Sequence, residues 1–152
     1  MRVWRVCDAR FSDLDGEWAR LTGGRWNGAG VAAIYTSTTL ALAVLETLVH
    51  FDADLYPSNH VRLEIEVPDS LPVATRSAAE LPSGWRDPES PDILRTIGDR
   101  WLDDRRQVAL VVPSVVLPEE TNCILNPLHP DFGQIRVIDM APFSFDPRLI
   151  RS

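Results

Sequence analysis

Hydrophobic and polar residues alternate strictly between residues 60 and 67, where the sequence reads HVRLEIEV. This alternation places Val61, Leu63 and Ile65 on one face of an extended chain, which predicts a strand with one buried side. Shorter runs rich in β-branched residues predict further strands over 3–7, 31–36, 108–112, 115–117 and 135–140.

Two stretches have the apolar spacing of a helix. The first, over 40–51, follows Ser37, Thr38 and Thr39, each of which offers an N-cap, and it is apolar on nearly all sides. We therefore expect this helix to be buried. A second helix is predicted over 93–106. Its apolar stripe consists of Ile93, Leu94, Ile97, Trp101 and Leu102.

Two further segments are predicted to be irregular. Residues 68–92 contain five prolines with serine and glycine among them, which favours an excursion long enough for a lid or flap. The segment TNCILNPLHPDF, over 121–132, is rich in turn-forming residues. Many short strands with only two good helices predict an α+β fold with a bent, mainly antiparallel sheet and flanking helices, in one domain over 1–152.

The composition is that of a globular chain, with 152 residues of which 45% are hydrophobic. Fifteen Lys and Arg against 22 Asp and Glu give a net charge of −7, which argues against sequence-independent binding of nucleic acid. Cys7 and Cys123 have no CxxC spacing and the three histidines have no HExxH spacing, so we expect reduced thiols and no metal site. No apolar run is long enough for a signal peptide or a membrane span, which favours a cytoplasmic protein that does not contact a membrane.

Four glycines lie within nine residues in the run TGGRWNGAG, over 22–30. Residues 28–33 match the dinucleotide fingerprint G-x-G-x-x-[GA], but a strand and not a helix is predicted to follow, which argues against a Rossmann site. Arg25 lies in this run, and a guanidinium presented from a glycine-rich turn suits bidentate binding of phosphate or carboxylate. A surface arginine with Trp26 packed beneath the loop is an equal alternative.

Glu46 lies in the middle of the apolar helix, with Leu42 and Val49 among its helical neighbours. A carboxylate in such surroundings must be paired, protonated or used in chemistry. His50, one turn further along, is the partner for Glu46 if the pairing is structural.

Three more candidates lie at the ends of predicted strands. Tyr35 ends the strand that leads to this helix, where its ring suits stacking on a flat ligand, with a core tyrosine as the alternative. Ser114 follows Pro113 at a break between two strands, and Asn122 and Asn126 flank a short apolar stretch, in positions where Ser and Asn commonly form turns. No GxSxG elbow surrounds Ser114, which argues against a serine hydrolase.

Several segments, in this order, resemble one known family. They are GGRWNGAGVAAIYTS, LALAVLE, VPSVVLPEETNCILNP, HPDF and PFSFDPRL, within a match from Trp4-Arg5 to Arg148-Leu149. Together they resemble the RES domain, which is named for its arginine, glutamate and serine and supplies the toxins of two-gene toxin–antitoxin modules. The proline-rich stretch over 68–92 carries no part of this resemblance.

The resemblance implies an α+β fold similar to that of ADP-ribosyltransferases and an activity on NAD as substrate, without a metal. Members of the family degrade NAD by hydrolysis or phosphorolysis, or transfer ADP-ribose to a protein. A degenerate domain that only binds a nucleotide or an antitoxin is a further alternative. The family's functional positions fall here on Arg5, Arg25, Tyr35, Glu46, Ser114 and Asn122.

The resemblance also implies a role for each of these residues, with Asn122 among those that bind NAD. Glu46 would hold the ribose hydroxyls and stabilise an oxocarbenium-like ribose, as carboxylates do in glycoside cleavage. Arg25 and Arg5 would bind the diphosphate. Tyr35 would stack on the nicotinamide, and Ser114 would orient its amide or the diphosphate. Nicotinamide leaves as a neutral molecule, so no strong general acid is required.

A toxin of this kind is expected to have a protein partner. The resemblance implies an Xre-type antitoxin whose DNA-binding domain, and not this chain, contacts nucleic acid. The antitoxin would cap the cleft and help to build a larger complex, which could contain two copies of this chain. The net negative charge of this chain suits a basic surface on such a partner.

Overall fold

The computed structural model describes residues 1–51, 58–89 and 91–150. In this part of the chain there are seven strands and three α-helices, joined by short 3₁₀ turns. In chain order they are β1 (Arg2–Asp8), α1 (Glu17–Thr22), β2 (Ile34–Ser37), α2 (Leu40–Leu48), β3 (His60–Glu66), β4 (Val73–Thr75), α3 (Arg95–Asp104), β5 (Ala109–Pro113), β6 (Thr121–Leu125) and β7 (Arg136–Phe143).

The strands form a single sheet in the order β4-β5-β6-β2-β1-β3-β7. Every neighbouring pair is antiparallel except β4 and β5, which are parallel. The register of β3 against β7 shifts between Glu64 and Ile65, an irregularity of the kind that bends a strand. This architecture confirms the predicted α+β class with a mainly antiparallel sheet, and it confirms the alternating strand predicted over 60–67.

Cross-strand pairing places both long helices on the same face of the sheet. Trp4 pairs with Ser37, Ser37 with Asn122, and Asn122 with Val112, so these four side chains form a row across β1, β2, β6 and β5. Trp4 packs in the cluster beneath α2 and Val112 in the cluster beneath α3. The opposite face carries the largest buried cluster, with β1 to β3, β5 and β6 all contributing.

Helix α2 is buried on one side only, so the prediction of a buried helix holds for that side and is wrong for the other. Leu42 and Ala43 are buried, whereas Leu45 is 38% exposed and Val49, just after the helix, is 56% exposed. The reason is that α2 lies on an outer face of the sheet, where only one side of a helix can contact the strands.

Two segments predicted to be irregular contribute strands. Part of the excursion over 68–92 forms the edge strand β4, and Leu71 and Leu81 on either side of it are buried. Ser90, within the same excursion, lies outside the described residues. The turn-rich interpretation of residues 121–125 is also wrong, because they form β6, an interior strand of the sheet. Conversely, residues 115–117, predicted as a strand, form a turn.

His60, at the start of β3, has an unusual environment. Its ring lies 5.3 Å from the Phe51 ring and 5.5 Å from the Phe145 ring, and its Nδ1 is buried without a hydrogen-bond partner among the described residues. Burial lowers the pKa of His60 below 6.5, against the opposing effect of the Asp8 carboxylate.

We therefore predict that stability falls in mildly acid solution. Because the folded-state pKa is lowered, the unfolded chain binds a proton at His60 that the folded chain does not, so the free energy of unfolding decreases as pH falls below about 6.5. Urea unfolding at pH 7.5 and pH 5.5 measures this change, which His60→Gln should reduce. His50→Gln, at an exposed position, is the control. An identical pH dependence in wild type and His60→Gln would contradict the prediction.

Candidate functional site

Glu46 accepts two hydrogen bonds at the same carboxylate oxygen. Its Oε1 accepts from the Ser114 hydroxyl at 2.6 Å and from the Asn122 amide Nδ2 at 2.7 Å. No hydrogen bond from the described residues reaches Oε2, and the only buried side-chain N or O atom without a partner among these residues is His60 Nδ1. Oε2 is therefore accessible, and the carboxylate is held on one side and open on the other.

Helix α2 brings Glu46 to this position because its start is fixed. Thr39 is the N-cap, and its Oγ1 accepts from the Leu42 backbone N–H at 3.1 Å and donates to the Glu120 carboxylate at 2.6 Å. Glu120 precedes β6, so the cap ties the helix to the strand that carries Asn122. His50, the structural partner proposed from the sequence, is exposed beyond the end of α2, while Ser114 and Asn122 bind the Glu46 carboxylate.

Ser114 forms a turn and also contacts Glu46, while its predicted role in orienting the nicotinamide amide or the diphosphate stays a prediction. The side chain is fully buried, and its Oγ accepts backbone N–H groups from Val116 at 3.1 Å and Leu117 at 3.0 Å. These two bonds close the turn after β5. The single hydroxyl hydrogen is therefore committed to Glu46, and Ser114 acts on this carboxylate as a hydrogen-bond donor.

Asn122 is oriented by Ser37, for which the sequence predicts only the role of a helix N-cap. The Ser37 hydroxyl, on the neighbouring strand, donates to Asn122 Oδ1 at 2.9 Å. With its oxygen engaged there, the amide presents Nδ2 to Glu46. The signal that could have identified Ser37 is the pairing of β2 with β6, because directly opposed residues share a face of the sheet.

Tyr35 holds the glycine-rich loop through its hydroxyl. The oxygen accepts from the Trp26 backbone N–H at 2.9 Å and donates to Asn27 Oδ1 at 2.6 Å, and burial raises the pKa of this phenol. The fully buried Asn27 in turn donates to the carbonyls of Ala19 and Val31. A Cβ added at Gly24 would lie 2.6 Å from the Tyr35 oxygen, so glycine is required for this close approach.

Helix α3 holds the same loop from the other side. Arg95 donates to the Gly24 carbonyl at 2.9 Å, and the Asp99 carboxylate accepts from the Gly28 backbone N–H at 2.9 Å. At Gly98 the helix touches the Trp26 carbonyl directly. Side chains beneath and beside the loop thus hold its backbone in place, and with it the backbone of Arg25.

Arg25 lies at the outer side of this loop. Its Nη1 donates to the Asp87 carbonyl at 3.5 Å, a long contact, and no ion pair to Arg25 occurs within the described ranges. Trp26 beneath it is 4% exposed, as the structural alternative for this loop predicted. The Arg25 guanidinium is therefore available for an anion.

Two other residues considered from the sequence are not brought to Glu46. Arg5 lies on β1 between Val3 and Cys7, whose side chains belong to the core on the opposite face of the sheet. Asn126 is buried in a turn, where it donates to the Leu102 carbonyl and accepts from the Leu128 N–H. The role of Arg5 in binding diphosphate remains a prediction, and Asn126 is structural.

We predict that Tyr35→Phe loosens the loop. The ring would still pack, but the Trp26 N–H and Asn27 Oδ1 would each lose a partner in a buried environment. Such losses cost about 1–3 kcal/mol. Urea unfolding followed by circular dichroism measures the loss, and an unchanged free energy of unfolding would show that the hydroxyl does not hold the loop.

Other parts of the described chain offer less for chemistry. A cavity of about 380 Å³ lies away from Glu46, between α1 and the end of α3, and acidic and basic side chains both line it. Among the described residues there is no group of three or more His, Cys, Asp or Glu arranged to hold a metal ion. None of the described helices is long and apolar enough to cross a membrane.

The family model and two relatives similar in sequence identify one family, and a solved structure shares the fold. The RES domain family model matches residues 2–146. The Prs ADP-ribosylating toxin of Sphingobium sp. (strain YBL2) is 42% identical, covering 97% of this chain and 96% of its own. A Toxin Res of Yersinia enterocolitica is 36% identical, covering 98% and 99%. A chain of the crystal structure of the M. tuberculosis MbcT–MbcA toxin–antitoxin complex superposes with a TM-score of 0.78 at 18% identity, covering 98% of this chain and 86% of that one, so it shares the fold.

Proposed function

Because the chain belongs to the RES domain family, we propose that it is the toxin of a toxin–antitoxin module and acts in the cytoplasm by cleaving the nicotinamide–ribose bond of NAD. The observation that carries this proposal is the carboxylate of Glu46, fixed at Oε1 by Ser114 and Asn122 and accessible at Oε2. Two relatives named as toxins, each aligned over nearly its whole length, support the biological role.

The proposed chemistry needs a fixed negative charge beside the ribose. When the bond between the nicotinamide nitrogen and ribose C1′ breaks, its electron pair goes to the nitrogen and positive charge develops on the sugar. A carboxylate already held in place stabilises that charge without reorganising. Glu46 is proposed to do this with Oε2 facing the ribose, while Ser114 and Asn122 position it. The departing nicotinamide is neutral, so a general acid is not needed.

Arg25 is proposed to bind the diphosphate of NAD, and Tyr35 to shape the binding site by holding the Arg25 loop and presenting its ring. We predict that Arg25→Ala weakens NAD binding by about 1.5–3 kcal/mol, roughly 10–150-fold in Kd, the range of a charge-assisted hydrogen bond. Arg25→Lys keeps the charge but loses the planar pair of donors, and we expect an intermediate Kd. Calorimetric titration measures the Kd of both variants for NAD. An unchanged Kd in Arg25→Ala would show that Arg25 does not bind the diphosphate.

The acceptor of the ADP-ribosyl group separates two versions of this proposal. Water would give ADP-ribose, and phosphate would give a phosphorylated ADP-ribose. A protein acceptor is the second candidate, favoured by the name of the 42% identical Sphingobium relative, an ADP-ribosylating toxin.

The experiment incubates purified protein with NAD in three ways: in buffer alone, with phosphate, and with a bacterial protein extract. Mass spectrometry identifies the products. Free nicotinamide in any arm supports NAD cleavage, and the accompanying product identifies the acceptor. Intact NAD in all three arms would contradict an enzymatic function and leave a domain that only binds.

We further propose that a protein antitoxin inhibits this chain. The fold shared with a chain of a toxin–antitoxin complex supports a partner of this class, and the net charge of −7 suits a basic surface on it. An Xre-type antitoxin with a DNA-binding domain is the specific proposal. It is tested by producing the chain together with the product of a neighbouring gene and measuring complex formation and NAD loss.

A further inference from the structure

Residues 86 and 87 contact both the glycine-rich loop and the turn that follows Ser114. On one side, Arg25 Nη1 donates to the Asp87 carbonyl at 3.5 Å. On the other, Arg86 Nε donates at 3.2 Å to the carbonyl of Val115, the residue after Ser114. This short segment therefore lies between the glycine-rich loop and the turn that fixes Glu46.

The segment has a defined conformation. Leu81 is buried and Trp85 half-buried in the cluster beneath α3. Beyond them, the Asp87 N–H donates to the Gly84 carbonyl at 3.0 Å, and the Asp87 carboxylate accepts from the Glu89 N–H at 2.9 Å. These contacts place Arg86 beside the site by local structure.

The Arg86 guanidinium has N–H donors that are not engaged in a hydrogen bond with a described residue. The side chain is exposed, only Nε is engaged, and no ion pair to Arg86 occurs in the part of the chain that the structure describes. Arg25, on the facing loop, is also without an ion pair there, and its one contact is long. One arginine thus belongs to the segment and the other contacts it, and each has guanidinium nitrogens available.

From this arrangement we propose that Arg86 is a second diphosphate-binding residue, acting together with Arg25. The inference rests on the proposed function, because a diphosphate is the part of NAD that two guanidiniums recognise best. A diphosphate carries adjacent negative oxygens, and one arginine from the glycine-rich loop and one from the segment over 86–87 could bind both phosphoryl groups. The Pro-rich excursion then contributes to substrate affinity, in addition to covering α3 and extending the sheet.

The test titrates ADP-ribose, which has the diphosphate but no bond to cleave, into wild type, Arg86→Gln and Arg86→Lys. Glutamine can still donate to the Val115 carbonyl without the charge, so it separates anion binding from anchoring of the segment. We expect Arg86→Gln to raise the Kd about tenfold or more and Arg86→Lys to raise it less. Arg76→Gln, an exposed arginine in the same excursion, is the matched control and should not change the Kd.

Kinetics give a second readout. We expect Arg86→Gln to raise the KM for NAD while kcat changes little, because the arginine binds a part of the substrate remote from the bond that breaks. If wild type binds ADP-ribose and Arg86→Gln binds it equally well, the inference is wrong and the proposed function stands. If wild type neither binds ADP-ribose nor consumes NAD, both fail.

Discussion

Glu46→Gln is expected to lower NAD cleavage by about 100-fold or more while leaving the fold intact. The glutamine oxygen can accept the hydrogen bonds that Ser114 and Asn122 donate to Oε1, so the local structure is retained. What is lost is the negative charge facing the ribose, and removing one preorganised electrostatic group typically costs about 10²–10³ in kcat.

The measurement is the rate of nicotinamide release, together with the thermal midpoint of unfolding. Glu119→Gln is the control, because it removes a charge from an exposed position between Ser114 and Asn122 and should leave the rate unchanged. Full activity in Glu46→Gln would exclude Glu46 as the stabilising carboxylate. A lost fold would show as a lowered midpoint, and Glu46→Asp would then test whether charge without the correct reach restores any rate.

Gly98→Ala is expected to have the largest effect on stability. A Cβ at this position would lie 1.7 Å from the Trp26 carbonyl oxygen and 2.6 Å from its carbon, so helix α3 and the glycine-rich loop cannot keep their present contact. The obstructing atoms are backbone atoms, which cannot rotate away as a side chain can. We expect a loss of about 3 kcal/mol or more in the free energy of unfolding.

Urea unfolding followed by circular dichroism measures this loss. Gly133→Ala is the matched control, since a Cβ there meets nothing within 4 Å, and its free energy of unfolding should change by less than about 0.5 kcal/mol. Equal stability of Gly98→Ala and wild type would mean that α3 does not pack on the loop as described. Because Arg25 depends on this loop, NAD affinity should fall with the stability.

The fold could be predicted where local pattern and tertiary environment agree. Strand β3 has one face in the core, so its alternation is visible in the sequence. Strand β6 has a neighbour on each side, yet its first two residues are polar, because Thr121 bonds to Thr38 and Asn122 to Ser37 and Glu46. Composition alone indicates a turn there, and only the pairing partners explain a strand.

The candidate site could be predicted from the sequence only in part. Glu46 could be identified as a candidate because it is the single carboxylate in an apolar helix. Nothing in the spacing of residues 46, 114 and 122 shows that their side chains are in contact. The resemblance to the RES family supplied that set. The network that supports the site depends on long-range contacts. Asn27, Ser37 and Asp99 act through such contacts, and no local pattern identifies them.

The face on which a strand residue lies is equally hard to predict. Arg5 and Trp4 are adjacent in sequence, yet Trp4 lies in the row with Ser37 and Asn122, while Arg5 lies with Val3 on the other face. A one-residue difference reverses the face of a strand residue, and only the register of the neighbouring strands decides it. The candidate role of Arg86 could not be predicted for another reason, since Arg86 lies in the excursion that carries no family motif.

The most direct test of NAD cleavage at Glu46 is to mix the purified 152-residue chain with NAD and follow free nicotinamide over time, with Glu46→Gln alongside. We predict that wild type releases one nicotinamide for each NAD consumed, and that the variant releases about 100-fold less in the same time. Equal release by both proteins would contradict the role of Glu46. The proposed activity itself would be contradicted if NAD stayed intact when water, phosphate and a protein extract were all offered as acceptors.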